Sequence, residues 1–262
     1  MSIYDDKTIL FFFLILASVF GAIMGSFLNC AAWRLGRGES FITGRSQCPH
    51  CGHVLGAAEL VPVLSWVFLK GRCRWCKEKV SARYPLTELG FSLLTVVCLL
   101  RFDLTPLCFR NYLFLCCLFV LTLTDLDAMV IPDGCLILAA LVWLLFCPFL
   151  DLTGRDILLH VAAAVVFGGS LLGISLLMDH MLQRDTLGGG DIKLFAVVGL
   201  YLGFVATLFA LMFACVAGLF YYGLGKKHGG KEFPFGPWIA LGTAVMLLYG
   251  EPLVNWYMSF LR

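Results

Sequence analysis

"ILFFFLILASVFGAIMGSFL", residues 9–28, runs for twenty residues without a charge or a proline. At about 1.5 Å per residue, a helix of this length reaches across the roughly 30 Å hydrocarbon core of a bilayer. The run passes into Asn29 with no small-residue cleavage site leading into a soluble chain, so we read it as a retained first span and not as a removable signal. The remainder of the 262-residue chain is of the same kind: 60% of it is hydrophobic, 14% is charged, and the mean hydropathy is +0.91. Those figures exclude an ordinary soluble domain.

Hydropathy, charges and turn residues together place spans near 8–28, 85–101, 109–126, 131–150, 157–178, 191–203, 205–225 and 234–258, the sixth being short. The expected fold class is therefore an all-α polytopic membrane protein of about eight transmembrane helices. Most connections are short. The exception is 33–83, a polar stretch between helices 1 and 2 long enough to be a small domain. It carries nine basic residues, at 34, 37, 45, 70, 72, 74, 77, 79 and 83.

Basic loops stay on the cytoplasmic side, which puts this domain there and, by alternation, the connections 126–131, 179–190 and 226–233 as well. Arg184, Lys193, Lys226, Lys227 and Lys231 join the cytoplasmic set; Lys7, Arg101, Arg110, Arg155 and Arg262 are left outside. The formal net charge of +2 thus reflects topology and not a nucleic-acid surface, and orientation alone would account for the basic loop. Lipid is the environment of the whole helical region.

Twelve cysteines divide into two kinds. Eight of them (30, 98, 108, 116, 117, 135, 147 and 215) lie in or beside apolar spans, where a thiol acts as a small hydrophobe. The other four form "CPHC" at 48–51 and "CRWC" at 73–76, separated by 21 residues. Each knuckle presents two thiolates from one tight turn, the pattern of a tetrahedral Zn²⁺ site with Cys48, Cys51, Cys73 and Cys76 as ligands. His50 and His53 could replace a thiolate, but four cysteines already close the site, which makes the zinc structural. A redox role fits less well, because neither Cys-x2-Cys opens a helix in a βαβ unit and cytoplasmic thiols are kept reduced.

Charges within spans are scarce, so each is a candidate functional group. "LTLTDLDAMVIPD" (121–133) ends the third span with Asp125, Asp127 and Asp133, and "LGGGDIKL" (187–194) opens the sixth with Asp191. Both groups fall at the cytoplasmic boundary. Two carboxyl groups brought together share a proton and titrate as a pair, an arrangement suited to aspartyl hydrolysis, in which one activates water and the other polarises the scissile carbonyl. Gly188, Gly189 and Gly190, lacking Cβ, would let a substrate backbone approach the carboxylate, and Pro132 would start the fourth span. The competing explanation is that an acid at a helix N-terminus is favoured by the helix dipole alone, which covers Asp133 and could cover Asp191. Asp125 is harder to explain this way, since it ends a helix, where negative charge is disfavoured. Lys193 stands two residues from Asp191 and therefore on another helix face, and reads as a residue snorkelling to the interface.

In order and spacing, "GSFLN" (25–29), "WRL" (33–35), the two Cys-x2-Cys knuckles, "PVLSWVFLKGRCRWC" (62–76), "RYPLTELG" (83–90), "TDLDAMVIPD" (124–133), "LGGGDIKL" and "FPFGPWIALG" (233–242) resemble the bacterial type IV prepilin peptidases over about residues 20–250. The resemblance implies a GxGD-type aspartyl endopeptidase of the bacterial inner membrane. Such an enzyme cuts the basic leader from type IV prepilins or type II secretion pseudopilins after a glycine, with Asp125 and Asp191 as the catalytic pair. It further implies N-methylation of the new N-terminal residue from S-adenosylmethionine; the alternative is a peptidase without methyl transfer. Cys30, Ala31, Ala32 and Gly36 depart from the residues usual in the family, near the part it associates with methyl transfer.

The expected organisation is a first transmembrane helix in 1–32, a cytoplasmic four-Cys zinc domain associated with methyl transfer in 33–83, and a seven-helix peptidase domain in 84–262. No Rossmann-type glycine fingerprint locates the methyl donor. Asp127, Asp133 and Asp185 form an acidic cluster that could attract a basic leader, or could be solvated loop charges. A cation-coupled transporter would also use intramembrane acids and a glycine-broken helix, but the 33–83 domain has no counterpart in the second half as an inverted repeat requires. A scaffold whose zinc domain docks partners is the third class.

Overall fold

The computed structural model describes residues 6–41, 44–183, 187–224 and 233–259. Among these the secondary structure is helical, with only two isolated antiparallel bridges and no strand. The chain forms two compact units, Met1–Cys108 and Phe109–Arg262.

In the first unit, α1 (Lys7–Leu35) starts where the Asp6 side chain accepts from the Thr8 N–H at 2.7 Å. It packs closely on α3 (Arg83–Phe102), and small residues explain why. A Cβ at Gly21 would sit 2.8 Å from Ser92 Cα, and one at Gly25 would sit 3.1 Å from Phe91 Cβ. This Gly-x3-Gly stripe lets two backbones meet where lipid supplies no hydrophobic drive for association. Polar pairs complete the seam: Ser92 Oγ donates to the Ser18 carbonyl at 2.8 Å, and Asn29 Nδ2 donates to Thr87 Oγ1 at 2.8 Å.

Between these helices lies the cysteine module, with the short α2 (Leu64–Phe68). It is tied to both. Buried Arg34 on α1 reaches the Arg45 carbonyl at 3.2 Å, and buried Glu88 on α3 accepts the Val63 N–H at 2.6 Å.

The second unit comprises most of α4 (Pro106–Ala128), then α5 (Asp133–Phe146), α6 (Gly154–Leu182), α7 (Gly189–Leu224) and α8 (Gly236–Ser259). Among the described residues, six helices of the chain are long and apolar enough to cross a membrane: α1, α3, α4, α6, α7 and α8. This is a multi-pass membrane protein. The expected fourth span is shorter than 131–150, because α5 has 14 residues and is continued only by the single turn Cys147–Phe149.

The expected boundary between the sixth and seventh spans reappears as a break inside α7, where Gly203 has φ 68° and ψ −170°. The break interrupts the ladder, and neighbours take up the freed groups: His160 Nδ1 of α6 bonds the Leu200 carbonyl at 2.8 Å, and Thr207 Oγ1 donates to the Gly203 carbonyl at 2.5 Å. Packing around α7 again uses small residues. A Cβ at Gly199 would meet Ala164 Cα at 2.8 Å, and one at Gly168 would meet Ala196 Cβ at 2.9 Å.

Candidate active site and metal centre

Asp125 lies in the last turn of α4, after the fully buried Thr124 and itself only 6% exposed. A negative group at a helix C-terminus needs compensation from elsewhere, and α8 supplies it. The Gly236 N–H, the first of that helix, donates to Asp125 Oδ2 at 2.9 Å. A Cβ at position 236 would lie 2.8 Å from the same oxygen, so only glycine lets the helix start approach this closely.

Asp191 sits in the first turn of α7, half-buried, and its backbone N–H bonds the Gly188 carbonyl at 3.0 Å. Asp125 and Asp191 interact electrostatically. The starts of α7 and α8 therefore bring two positive helix ends and two carboxyl groups to one place. The three glycines differ in surroundings. At Gly190 a Cβ would come 2.8 Å from Ile131 Cβ, at Gly188 it would come 3.3 Å from Asp191 Oδ2, and at Gly189 nothing lies within 4 Å. Packing of the α4–α5 connection against α7 thus accounts for Gly190, while the side of Gly189 is open.

Asp133 is held in an ion pair. Lys193 Nζ bonds both carboxylate oxygens of Asp133, at 2.8 and 2.9 Å, with both side chains well exposed. Lys193, expected to snorkel to the interface, thus reaches the exposed start of α5. Asp127 is exposed, and Asp185 lies outside the described residues.

The two cysteine knuckles share one geometry. Cys48 N–H donates to the His53 carbonyl at 2.9 Å and Cys73 N–H to the Glu78 carbonyl at 2.8 Å, and each turn is closed by a bridge, Gln47 with Val54 and Arg72 with Lys79. The residue after each second cysteine is left-handed: Gly52 at φ 69° and Lys77 at φ 61°. The four Sγ atoms all lie within 4.8 Å of one another, with Cys48 and Cys76 at 3.9 Å. Metal–sulfur bonds of about 2.3 Å in a tetrahedron require sulfur separations of about 3.8 Å, so this donor set fits a closed four-thiolate centre. The backbone N–H groups of Cys76 and Trp75, with the neighbouring thiols, hold the Cys73 thiol down to about 7, below the ordinary value of about 8.5. His53 is engaged otherwise, its ring 4.1 Å from that of Trp75.

Residues 112–223 match the model of the type IV leader peptidase family, and residues 19–102 match the bacterial peptidase A24 N-terminal domain. The chain is 33% identical over 245 residues to the prepilin leader peptidase/N-methyltransferase of Bacillus subtilis (strain 168), covering 92% of this chain and 96% of that protein. The chain belongs to the type IV leader peptidase family. A second relative of the same name, from Aeromonas salmonicida (strain A449), is 38% identical over 226 residues, 82% of this chain and 75% of its own. A third, from Stutzerimonas stutzeri, is 29% identical over 95% of each chain. No solved structure matches.

In this leader peptidase family chain the four cysteines fall in the N-terminal match, and Asp125 and Asp191 fall in the leader peptidase match. Gly236 lies beyond both. Sequence reasoning assigned it no role, although the "FPFGPW" stretch that holds it stood out. Its partner is 111 residues away, beyond the reach of any local pattern.

Proposed function

We propose that this chain is an aspartyl endopeptidase of the bacterial inner membrane, with Asp125 and Asp191 as its catalytic pair. It removes the basic leader from type IV prepilins or type II pseudopilins after a glycine at the cytoplasmic face, and N-methylates the new N-terminus. The observation that carries the reading is the buried Asp125 carboxylate, held by the Gly236 amide and interacting with Asp191. One carboxylate takes a proton from the attacking water, and its protonated partner donates to the carbonyl oxygen as charge develops there. The roles then reverse at the leaving amine, with no covalent intermediate. The open side of Gly189 is the approach we assign to the substrate backbone.

Within this proposal 1–32 forms the first span, 33–83 the cytoplasmic metal module and 84–262 the peptidase domain. Cys48, Cys51, Cys73 and Cys76 would hold Zn²⁺, which supplies structure and leaves no open position for catalysis. That ion would fix the module through the two knuckles, a small domain with little core of its own. S-adenosylmethionine would supply the methyl group. The cleft lined by Trp66, Lys70, Arg72 and Lys79 gathers three cations and does not fit its sulfonium, so we route no step through that cleft.

Mass spectrometry of a synthetic prepilin incubated with the purified protein tests the whole reading. The product is expected to begin after the glycine and, with S-adenosylmethionine present, to gain one methyl group. An intact substrate would overturn it.

A further inference from the structure

The eight cysteines of the apolar region gave no reason in sequence to treat them as anything but small hydrophobes. The structure singles out two. Cys98, near the end of α3, and Cys108, in the first turn of α4, face each other across the short connection 103–105. Their sulfurs are 4.0 Å apart, and each lies 3.8 Å from the backbone carbonyl of the other residue. Both are buried, at 1% and 8% exposure.

Their depth matters as much as their distance. The metal module ends where α3 begins, at Arg83, and a rise of about 1.5 Å per residue carries Cys98 about 22 Å along the helix from that end. The pair therefore sits at the opposite side of the apolar layer from Cys48, Cys51, Cys73 and Cys76. The two sides of a bacterial inner membrane differ in redox character: thiols persist inside and disulfides form outside.

We propose that Cys98 and Cys108 form a disulfide on the extracytoplasmic side, closing the α3–α4 turn. The inference rests on the cytoplasmic placement of the metal module given above. Forming the bond takes the sulfurs from 4.0 Å to about 2.05 Å. One cysteine, as thiolate, attacks an extracytoplasmic dithiol oxidase in its disulfide form. The second thiolate resolves the mixed disulfide. Two protons leave the cysteines, two electrons pass to the oxidase, and the oxidase departs as its dithiol. The same exchange does not reach the four module cysteines, which remain thiolates available to a metal.

The test uses full-length protein from membranes, with free thiols trapped by N-ethylmaleimide under denaturing conditions before any reduction. Trypsin separates the two residues, because Arg101 lies between them and Arg110 follows. The expected result is peptide 84–101 joined to peptide 102–110 in the unreduced digest, two hydrogens lighter than their sum, and released by reductant. Cys48, Cys51, Cys73 and Cys76 should carry N-ethylmaleimide. In Cys98→Ser, Cys108 should become alkylated.

Alkylated Cys98 and Cys108 in the wild type would overturn the proposal, as would a link from either residue to another cysteine. Oxidised module cysteines would overturn the assigned sidedness. Prepilin cleavage by the same preparation is scored separately: cleavage without the linked peptide refutes the disulfide alone, and the linked peptide without cleavage refutes the peptidase reading alone. Should Cys98→Ser fail to fold, the wild-type peptide map still decides.

Discussion

The Gly236 amide and the Asp125 carboxylate are 2.9 Å apart, and the position where a Cβ of residue 236 would stand is 2.8 Å from the same oxygen. Replacing Gly236 with alanine must therefore push back either the start of α8 or the carboxylate. A displacement of about 1 Å at a reacting group costs about 10²-fold in rate, so Gly236→Ala is expected to lower kcat/KM by that order. Gly173→Ala, with nothing within 4 Å of its Cβ, is the control. It should leave cleavage unchanged and raise stability by about 0.4–1 kcal/mol through loss of unfolded-state entropy. Steady-state cleavage and thermal unfolding of both variants check this.

Gly189 and Gly190 separate a packing role from a substrate role. Gly190→Ala meets Ile131 Cβ at 2.8 Å and should be rescued in part by Ile131→Gly, which removes that atom. Gly189→Ala meets nothing in the protein, so any rise in KM reports a substrate backbone passing there. Unchanged KM and kcat in Gly189→Ala would remove the substrate-approach role.

For the cysteine module, Cys48→Ser or Cys73→Ser should abolish stoichiometric zinc in elemental analysis and lower the melting temperature; full zinc in either variant would refute the four-thiolate site. The Cys73 thiol, held down to about 7, is about half ionised at neutral pH, while an unfolded chain would keep it largely protonated until about 8.5. Its contribution to the metal-free module is thus present above about 8.5 and lost as pH falls through about 7. Zinc affinity, followed by chelator competition, should fall steeply below about pH 7 as protons compete for the thiolates.

The Lys193–Asp133 pair is exposed and should contribute no more than about 1 kcal/mol to stability. Its effect on substrate reading is larger in our account. Lys193→Ala releases the Asp133 charge and should lower KM for a basic leader, whereas Asp127→Asn, Asp133→Asn and Asp185→Asn should raise it. All four effects should shrink between low salt and about 0.5 M, where the Debye length falls below about 5 Å. Salt-independent changes would show that attraction of the leader plays no part.

Much of this architecture was legible in the sequence, for identifiable reasons. Hydropathy is a property of consecutive residues, so it located the helices and even the break at Gly203, where a glycine interrupts an otherwise continuous apolar run. The cysteine spacing is likewise local within each knuckle, and "CPHC" and "CRWC" announced a shared centre. Asp125 stood out because its own helix end disfavours it. What escaped were pairings set by tertiary packing. Gly236 against Asp125, Gly190 against Ile131, and Lys193 on Asp133 each join elements that local patterns treat separately. The Gly21–Gly25 stripe was present in the sequence as an ordinary helical spacing, and only the close approach of α3 gives it meaning.

The central claim is that Asp125 and Asp191 act together on the scissile bond, and single asparagine variants test it most directly. Asparagine keeps the shape of each side chain while removing the proton that the pair must exchange. Cleavage of a synthetic prepilin by Asp125→Asn and by Asp191→Asn, each purified folded, should fall by about 10²-fold or more, and the double variant should lose little further. Wild-type cleavage by either single variant would contradict the account.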